Sequence, residues 1–225
     1  MIVMKDVTKT FENGKHTVNV LNGISFEIHS GDMISIIGPS GSGKSTLLHI
    51  LGGLDVPTSG SYQIDGKEVS TLSDRELAKL RNQRFGFVHQ HFVLMEEESA
   101  LENVSVPLLF SDTPFKQIDR IALEMLEQFG ITELMDKKVC TLSGGEKQRV
   151  AIARAIVAEP DIILADEPTG ALDQENTEKI MESFLRLNKE GKTIIIITHD
   201  PQVATKCKIQ YKMENGQLMR IKNYM

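Results

Sequence analysis

From Gly38 to Thr46 the chain reads Gly38-Pro39-Ser40-Gly41-Ser42-Gly43-Lys44-Ser45-Thr46. This stretch fits the pattern G-x-x-x-x-G-K-[ST], in which backbone N–H groups curl around a phosphate chain. The apolar run at residues 33–37 before it reads as a strand. The leucine-spaced residues 46–54 after it read as a buried helix. A chance glycine-rich turn needs neither flank, whereas phosphate binding needs both, because the helix N-terminus adds partial positive charge. The pattern predicts that Lys44 reaches the β- and γ-phosphates and that the Ser45 hydroxyl ligates Mg²⁺. Gly38, Ser40, Gly41 and Gly43 belong to the cradle, and Ser42 and Thr46 are read as helpers of phosphate binding.

Two further stretches suit the same chemistry. Ile162-Ile163-Leu164-Ala165-Asp166-Glu167 places carboxylates at the end of a buried strand, where open α/β sheets bind their ligands. Asp166 is then placed to hold Mg²⁺, and Glu167 to polarise a water that attacks the γ-phosphate. Alone, this pattern equally describes a strand running into a solvated loop; paired with the phosphate loop it becomes specific. Leu142-Ser143-Gly144-Gly145-Glu146 opens a helix and offers a second set of free N–H groups to an anion. Ser143 with Glu146 also reads as an ordinary capping box, and both readings use the same orphan N–H groups. Gln148, one turn on, is expected to position this segment.

These residues need a scaffold of strands ending together. Residues 1–10 alternate partly and predict an edge strand; residues 18–28 predict another, after an Asn13-Gly14 turn signal. Residues 61–64 and 67–69 around Asp65-Gly66 predict a hairpin, and 73–84 a helix with a Ser73/Glu76 capping box. A strand is expected at 85–88, amphipathic helices at 114–129 and 144–158, and a strand at 162–165. A helix at 174–189, a strand at 193–198 and a hairpin around Asn215-Gly216 complete the pattern. Apolar strands alternating with helices imply a parallel sheet covered by helices. Residues 91–159 read as a helical lobe set between core segments 1–90 and 160–225 of one 225-residue domain.

Composition narrows the function. Hydrophobic residues make up 40% and charged residues 25%, the balance of an ordinary globular protein, and the net charge of −6 argues against phosphate-driven nucleic-acid binding. Two cysteines, Cys140 and Cys207, are too few for a disulfide framework. The longest apolar runs fall far short of the roughly 20 residues of a membrane helix, and the first residues lack the apolar core of a signal peptide. His89 and His91 flank Gln90 as H-x-H, but spacing suggests no third metal ligand.

A phosphate loop, then Leu-Ser-Gly-Gly-Glu at 142–146, Asp-Glu-Pro at 166–168 and Thr-His-Asp at 198–200 resembles the motif series of ABC ATPases over nearly the whole chain. The resemblance implies an α/β P-loop NTPase core with a mostly parallel sheet, an N-terminal antiparallel β subdomain and an inserted α-helical lobe. It implies that Gln90 contacts Mg²⁺ and the attacking water, that His199 contacts the γ-phosphate, and that Phe11 stacks on adenine, although Phe11 also suits strand core. Gly170-Ala171-Leu172-Asp173 is similar to the loop that crosses to a partner subunit. The family arrangement is a head-to-tail pair in which one chain's phosphate loop and the other's Ser143, Gly144 and Gly145 hold the same ATP.

Gly52-Gly53-Leu54-Asp55, Ala100-Leu101-Glu102-Asn103-Val104 and Ala165-Asp166-Glu167-Pro168-Thr169-Gly170 resemble one bacterial subgroup, which serves lipoprotein release, macrolide export and antimicrobial-peptide resistance. That resemblance implies a separate membrane permease and a cytoplasmic, peripheral place on the inner face of the membrane. A soluble ABC ATPase, such as an iron–sulfur assembly factor, is the alternative. The chain departs from the subgroup at Ala171, where Asn is usual, at His89, where Phe is usual, and in the acidic run Glu96-Glu97-Glu98, expected to meet a basic helix of the permease or simply to be solvated.

Overall fold

The computed structural model describes residues 1–14, 16–170 and 172–221. Lys15, at the first turn signal, and Ala171, in the Gly-Ala-Leu-Asp stretch, lie outside the described residues. Two sheets carry the architecture. The smaller is antiparallel, in the order β2-β1-β4-β5, with β1 Ile2–Asn13, β2 His16–Ile28, β4 Ser59–Ile64 and β5 Lys67–Glu68. The larger has the order β10-β9-β3-β8-β7-β6, with β3 Met33–Ile37, β6 Phe85–Val88, β7 Ile162–Asp166, β8 Thr193–Ile197, β9 Ile209–Glu214 and β10 Gln217–Arg220. Its strands pair in parallel from β9 through to β6, and β10 closes the β9 edge antiparallel.

The central strands are apolar because both faces of the sheet are covered. Successive side chains point to opposite faces, and the isoleucines of β8 divide accordingly. Ile194 and Ile196 join one core cluster, with helices α3 Ala100–Leu109, α4 Ile118–Gln128, α5 Gly144–Ile156 and α6 Gln174–Lys189. Ile195 and Ile197 join the other, with α1 Lys44–Leu51 and the antiparallel sheet. The core under α3, α4 and α5 is continuous with that under α6, through Val104, Leu126, Ile152 and Phe184. Helix α2 Asp74–Arg84 carries the expected capping box, and a five-residue helix α7 Pro201–Thr205 follows β8.

Three expectations change. β1 is not an edge strand: it pairs with β2 on one side and β4 on the other, with Ile2 opposite both Ile28 and Ile64. Its alternation looked partial because the register shifts after Met4, near Asp6 at φ 50°, so that Val7 and Lys9 take the inward positions instead of Asp6. The helix α3 has no counterpart in the sequence reading. It is short and holds Pro107, yet a legible Ser99/Glu102 capping box opens it. The helix expected over 114–129 starts as a 3-10 turn at Phe115–Gln117 before α4.

Tyr62 joins the two halves. It is fully buried on β4, and its hydroxyl donates to the Leu51 carbonyl, one of the acceptors left open at the end of α1. Burial pushes the phenol pKa well above its usual value, so it stays a donor. Tyr62→Phe strands that buried carbonyl and is expected to cost about 1–3 kcal/mol of stability. Urea unfolding checks this, and an unchanged midpoint would contradict it.

Candidate functional site

The strand order determines what can meet. β8 lies between β3 and β7, in parallel register with both: Ile36 stands opposite Ile197, and Ile197 opposite Asp166. The three strands therefore end side by side. The phosphate-type loop leaves β3, Thr198-His199 leaves β8, and Glu167 leaves β7. A cleft of about 630 Å³ opens at these ends. It is lined by Gly38, Ser40, Gly41, Gly43, Lys44, Ser45 and Thr46, and by Gln90, Asp166, Glu167 and His199.

The loop is shaped by close approach. A Cβ on Gly38 would stand 2.1 Å from the Met213 carbonyl oxygen of β9. Gly43, at φ 101°, caps α1 with no side-chain hydrogen bond, and a Cβ there would meet the Val20 oxygen at 2.8 Å. With no side chain over them, the first N–H groups of α1 face the cleft, a ready anion site. The Lys44 ammonium folds over the loop, donating to the Gly38 and Pro39 carbonyls at 2.9 and 2.8 Å. Ser42 lies buried beneath, its hydroxyl without a protein partner.

Across the cleft, Glu167 sits at φ 46°, a left-handed conformation unusual for a non-glycine residue. Its N–H donates to the Ile197 carbonyl at 2.9 Å, fastening it to the end of β8. Its carboxylate accepts the His199 N–H at 3.3 Å and lies 2.9 Å from His199 Nδ1. The His199 side chain is 71% exposed and that of Glu167 only 13%. The histidine thus holds a sheltered carboxylate from its open side.

Other expected site residues lie elsewhere. Ser143, Gly144, Gly145 and Gln148 do not line this cleft. Ser143 caps α5, its hydroxyl donating to Glu146 at 2.6 Å and holding that carboxyl below the usual range. Gly145 packs toward α6, where a Cβ would come 3.1 Å from Asn176 Oδ1. Gln148 is buried, its Nε2 without a protein partner. Asp173 caps α6 through Asn176. Phe11 is 43% exposed, so it is not strand core, and the Lys9 ammonium lies 4.9 Å from its ring centroid. His89 stacks on Phe87, and burial lowers its pKa. The acidic run Glu96-Glu97-Glu98 is exposed, with Glu97 paired to Lys138 and Glu96 3.8 Å from Lys147. Val20, Pro39 and Ile197 also line the cleft; as ordinary strand and loop residues they carry no signal in the sequence.

A parallel sheet feeding a glycine-shaped phosphate loop, with an acidic strand end two strands away, defines a P-loop nucleoside triphosphatase. The ABC transporter family profile matches residues 21–170. The lipoprotein-releasing system ATP-binding protein LolD of Alcanivorax borkumensis is 44% identical over 218 residues, 96% of each chain. The macrolide export ATP-binding/permease protein MacB of Brucella melitensis is 44% identical over 219 residues, 97% of this chain and 34% of that protein. The dimeric post-hydrolysis structure of the ATP-binding cassette MJ0796 bound to ADP and Pi superposes with a TM-score of 0.92, at 40% identity over 100% of both chains. The chain belongs to the ABC transporter family, as an ATP-binding and ATP-hydrolysing subunit.

Gly38→Ala drives a methyl group into the Met213 carbonyl. Relieving that clash costs about 1–3 kcal/mol, which is about five- to 150-fold in ATP affinity if the loop moves. Isothermal titration with ATP checks this, and parental affinity would contradict it.

Proposed function

We propose that this chain is the ATPase of a bacterial transporter in the group that serves lipoprotein release, macrolide export and antimicrobial-peptide resistance, driving a separate membrane permease in peptide or antibiotic export or resistance. Among the described residues no helix is long and apolar enough to cross a membrane, so the work on the bilayer falls to that partner, with this chain peripheral on the cytoplasmic face. Residues 1–90 and 160–225 act as the catalytic core and residues 91–159 as the lobe that carries the Ser-Gly-Gly turn.

One observation carries the mechanism. The cleft is lined by the phosphate loop, Asp166, Glu167, Gln90 and His199, but by none of Ser143, Gly144 and Gly145. A second copy of the chain supplies them, closing its own α5 N-terminus over the γ-phosphate, as the dimeric form of the MJ0796 cassette supports. Asp173 lies in the segment that crosses between the copies, and Phe11 offers an exposed ring to adenine. Lys44 and the α1 N–H groups hold the β- and γ-phosphates.

The donor set also suits Mg²⁺. Ser45, Gln90 and Asp166 all line one cleft, and their hydroxyl, amide and carboxylate groups carry the hard oxygen ligands this ion takes. When bound, Mg²⁺ neutralises charge on the β- and γ-phosphate oxygens. Glu167 takes the proton of the attacking water, and His199 keeps its carboxylate aimed at the cleft. Loss of the γ-phosphate then removes what Ser143 grips, and the pair loosens.

Glu167→Gln keeps the shape and removes the base. Turnover should fall by about 10²–10⁴-fold, while ATP still joins two copies, seen as a dimer by size-exclusion chromatography. Hydrolysis at the parental rate would remove Glu167 from this role.

A further inference from the structure

Helix α5, which begins at Ser143, carries a cation on an otherwise apolar stretch. Arg154 stands between buried Ala153 and Ala155. Its guanidinium donates through Nη1 to the Val93 carbonyl at 2.6 Å and through Nη2 to the Phe92 carbonyl at 2.9 Å. Those carbonyls belong to consecutive non-glycine residues at positive φ, 60° for Phe92 and 51° for Val93. For a β-branched valine this is an outlier, and its side chain is 61% exposed, so packing does not hold it there.

The same residues close two successive tight turns. The Phe92 N–H donates to the His89 carbonyl at 3.1 Å, and the Val93 N–H to the His91 carbonyl at 2.6 Å. The second turn has Phe92 at its centre with positive φ, the rare and strained sense of a three-residue turn. Gln90 lies inside the first turn, and its side chain reaches back to the reacting end: Gln90 Nε2 is 3.8 Å from where a Gly170 Cβ would stand, next to Glu167. The shape of the Gln90 turn therefore depends on a strained pair in which the exposed Val93 side chain adds no packing. Burial strips water from the Arg154 guanidinium and lowers its pKa, and the two carbonyls replace that water. The neighbouring His89 has its pKa lowered by burial and by the charge of Arg154.

We propose that Arg154 is a positioning residue for Gln90: its fork holds the left-handed Phe92–Val93 pair, and so keeps the Gln90 amide aimed into the nucleotide cleft while tying that turn to the helix that begins at Ser143. This rests on the reading that Gln90 contacts Mg²⁺ and the attacking water. A planar fork suits two adjacent carbonyls in a way that a single ammonium does not.

The test is steady-state ATP hydrolysis by the full chain carrying Arg154→Met, Arg154→Lys, Val93→Gly, Arg154→Met with Val93→Gly, and Gln90→Ala. Folding of each is checked by thermal unfolding. Arg154→Met should lower kcat about tenfold or more and leave the KM for ATP within about twofold, the signature of a lost transition-state contact. Arg154→Lys should fall between. Val93→Gly, which meets positive φ without steric cost, should restore most of the loss in the Arg154→Met background. If Arg154→Met does not fold, Arg154→Lys with and without Val93→Gly makes the same comparison. A folded Arg154→Met enzyme with parental kcat, or a loss that Val93→Gly leaves untouched, overturns the proposal and reduces Arg154 to a prop for α5. Parental turnover in Gln90→Ala overturns the underlying reading of Gln90. A loss in Gln90→Ala without one in the folded Arg154 variants overturns only the positioning role.

Discussion

The site depends on one constraint: three parallel strands, β3, β8 and β7, hydrogen-bonded in a register that ends them at one level. Ile197 faces Ile36 on one side and Asp166 on the other. That ladder is held by isoleucines packed on both faces of the sheet. Because the strands stop together, a phosphate loop, a histidine and a pair of carboxylates from distant parts of the chain converge on one cleft. A slip of one residue in β8 would turn its isoleucines to the opposite faces and carry His199 away from Glu167.

Around that frame, three of the seven non-glycine residues at positive φ among the described residues lie where chemistry is expected. Glu167, Phe92 and Val93 all adopt positive φ, and each is fastened by a hydrogen bond from or to a neighbouring element. Gly38 and Gly43 are needed for a different reason, close approach to the carbonyls of Met213 and Val20. The phosphate loop is thus pressed against β9 and β2, and fixed placement of donors is what electrostatic stabilisation of a phosphoryl transition state requires.

Much of this was legible in the residues. The Gly38–Thr46 pattern between an apolar run and a leucine-spaced helix specified the loop and its flanks, and the Ile162–Glu167 run specified a buried strand ending in acid. The capping boxes at Ser73 and Ser143 were readable because they use fixed spacing. What failed to show depends on distant partners. β1 looked like an edge because a bulge near Asp6 broke its alternation, and only its two neighbours reveal its central place. Arg154 left a trace, a cation inside an apolar stretch of its helix, but its partners lie about sixty residues away. The approach of Glu96 to Lys147 and the pairing of Glu97 with Lys138 join segments that sequence order keeps apart.

In the proposed mechanism each chain holds halves of two sites, so that hydrolysis belongs to a pair. Lys44→Ala removes the phosphate-loop half and Ser143→Arg the closing half. Either variant alone should be inactive, because each pair it forms lacks the same half at both sites. Mixing the two purified variants with ATP should restore hydrolysis, since a mixed pair contains one site with intact Lys44 and intact Ser143. A mixture no more active than the sum of its separate parts would contradict the account.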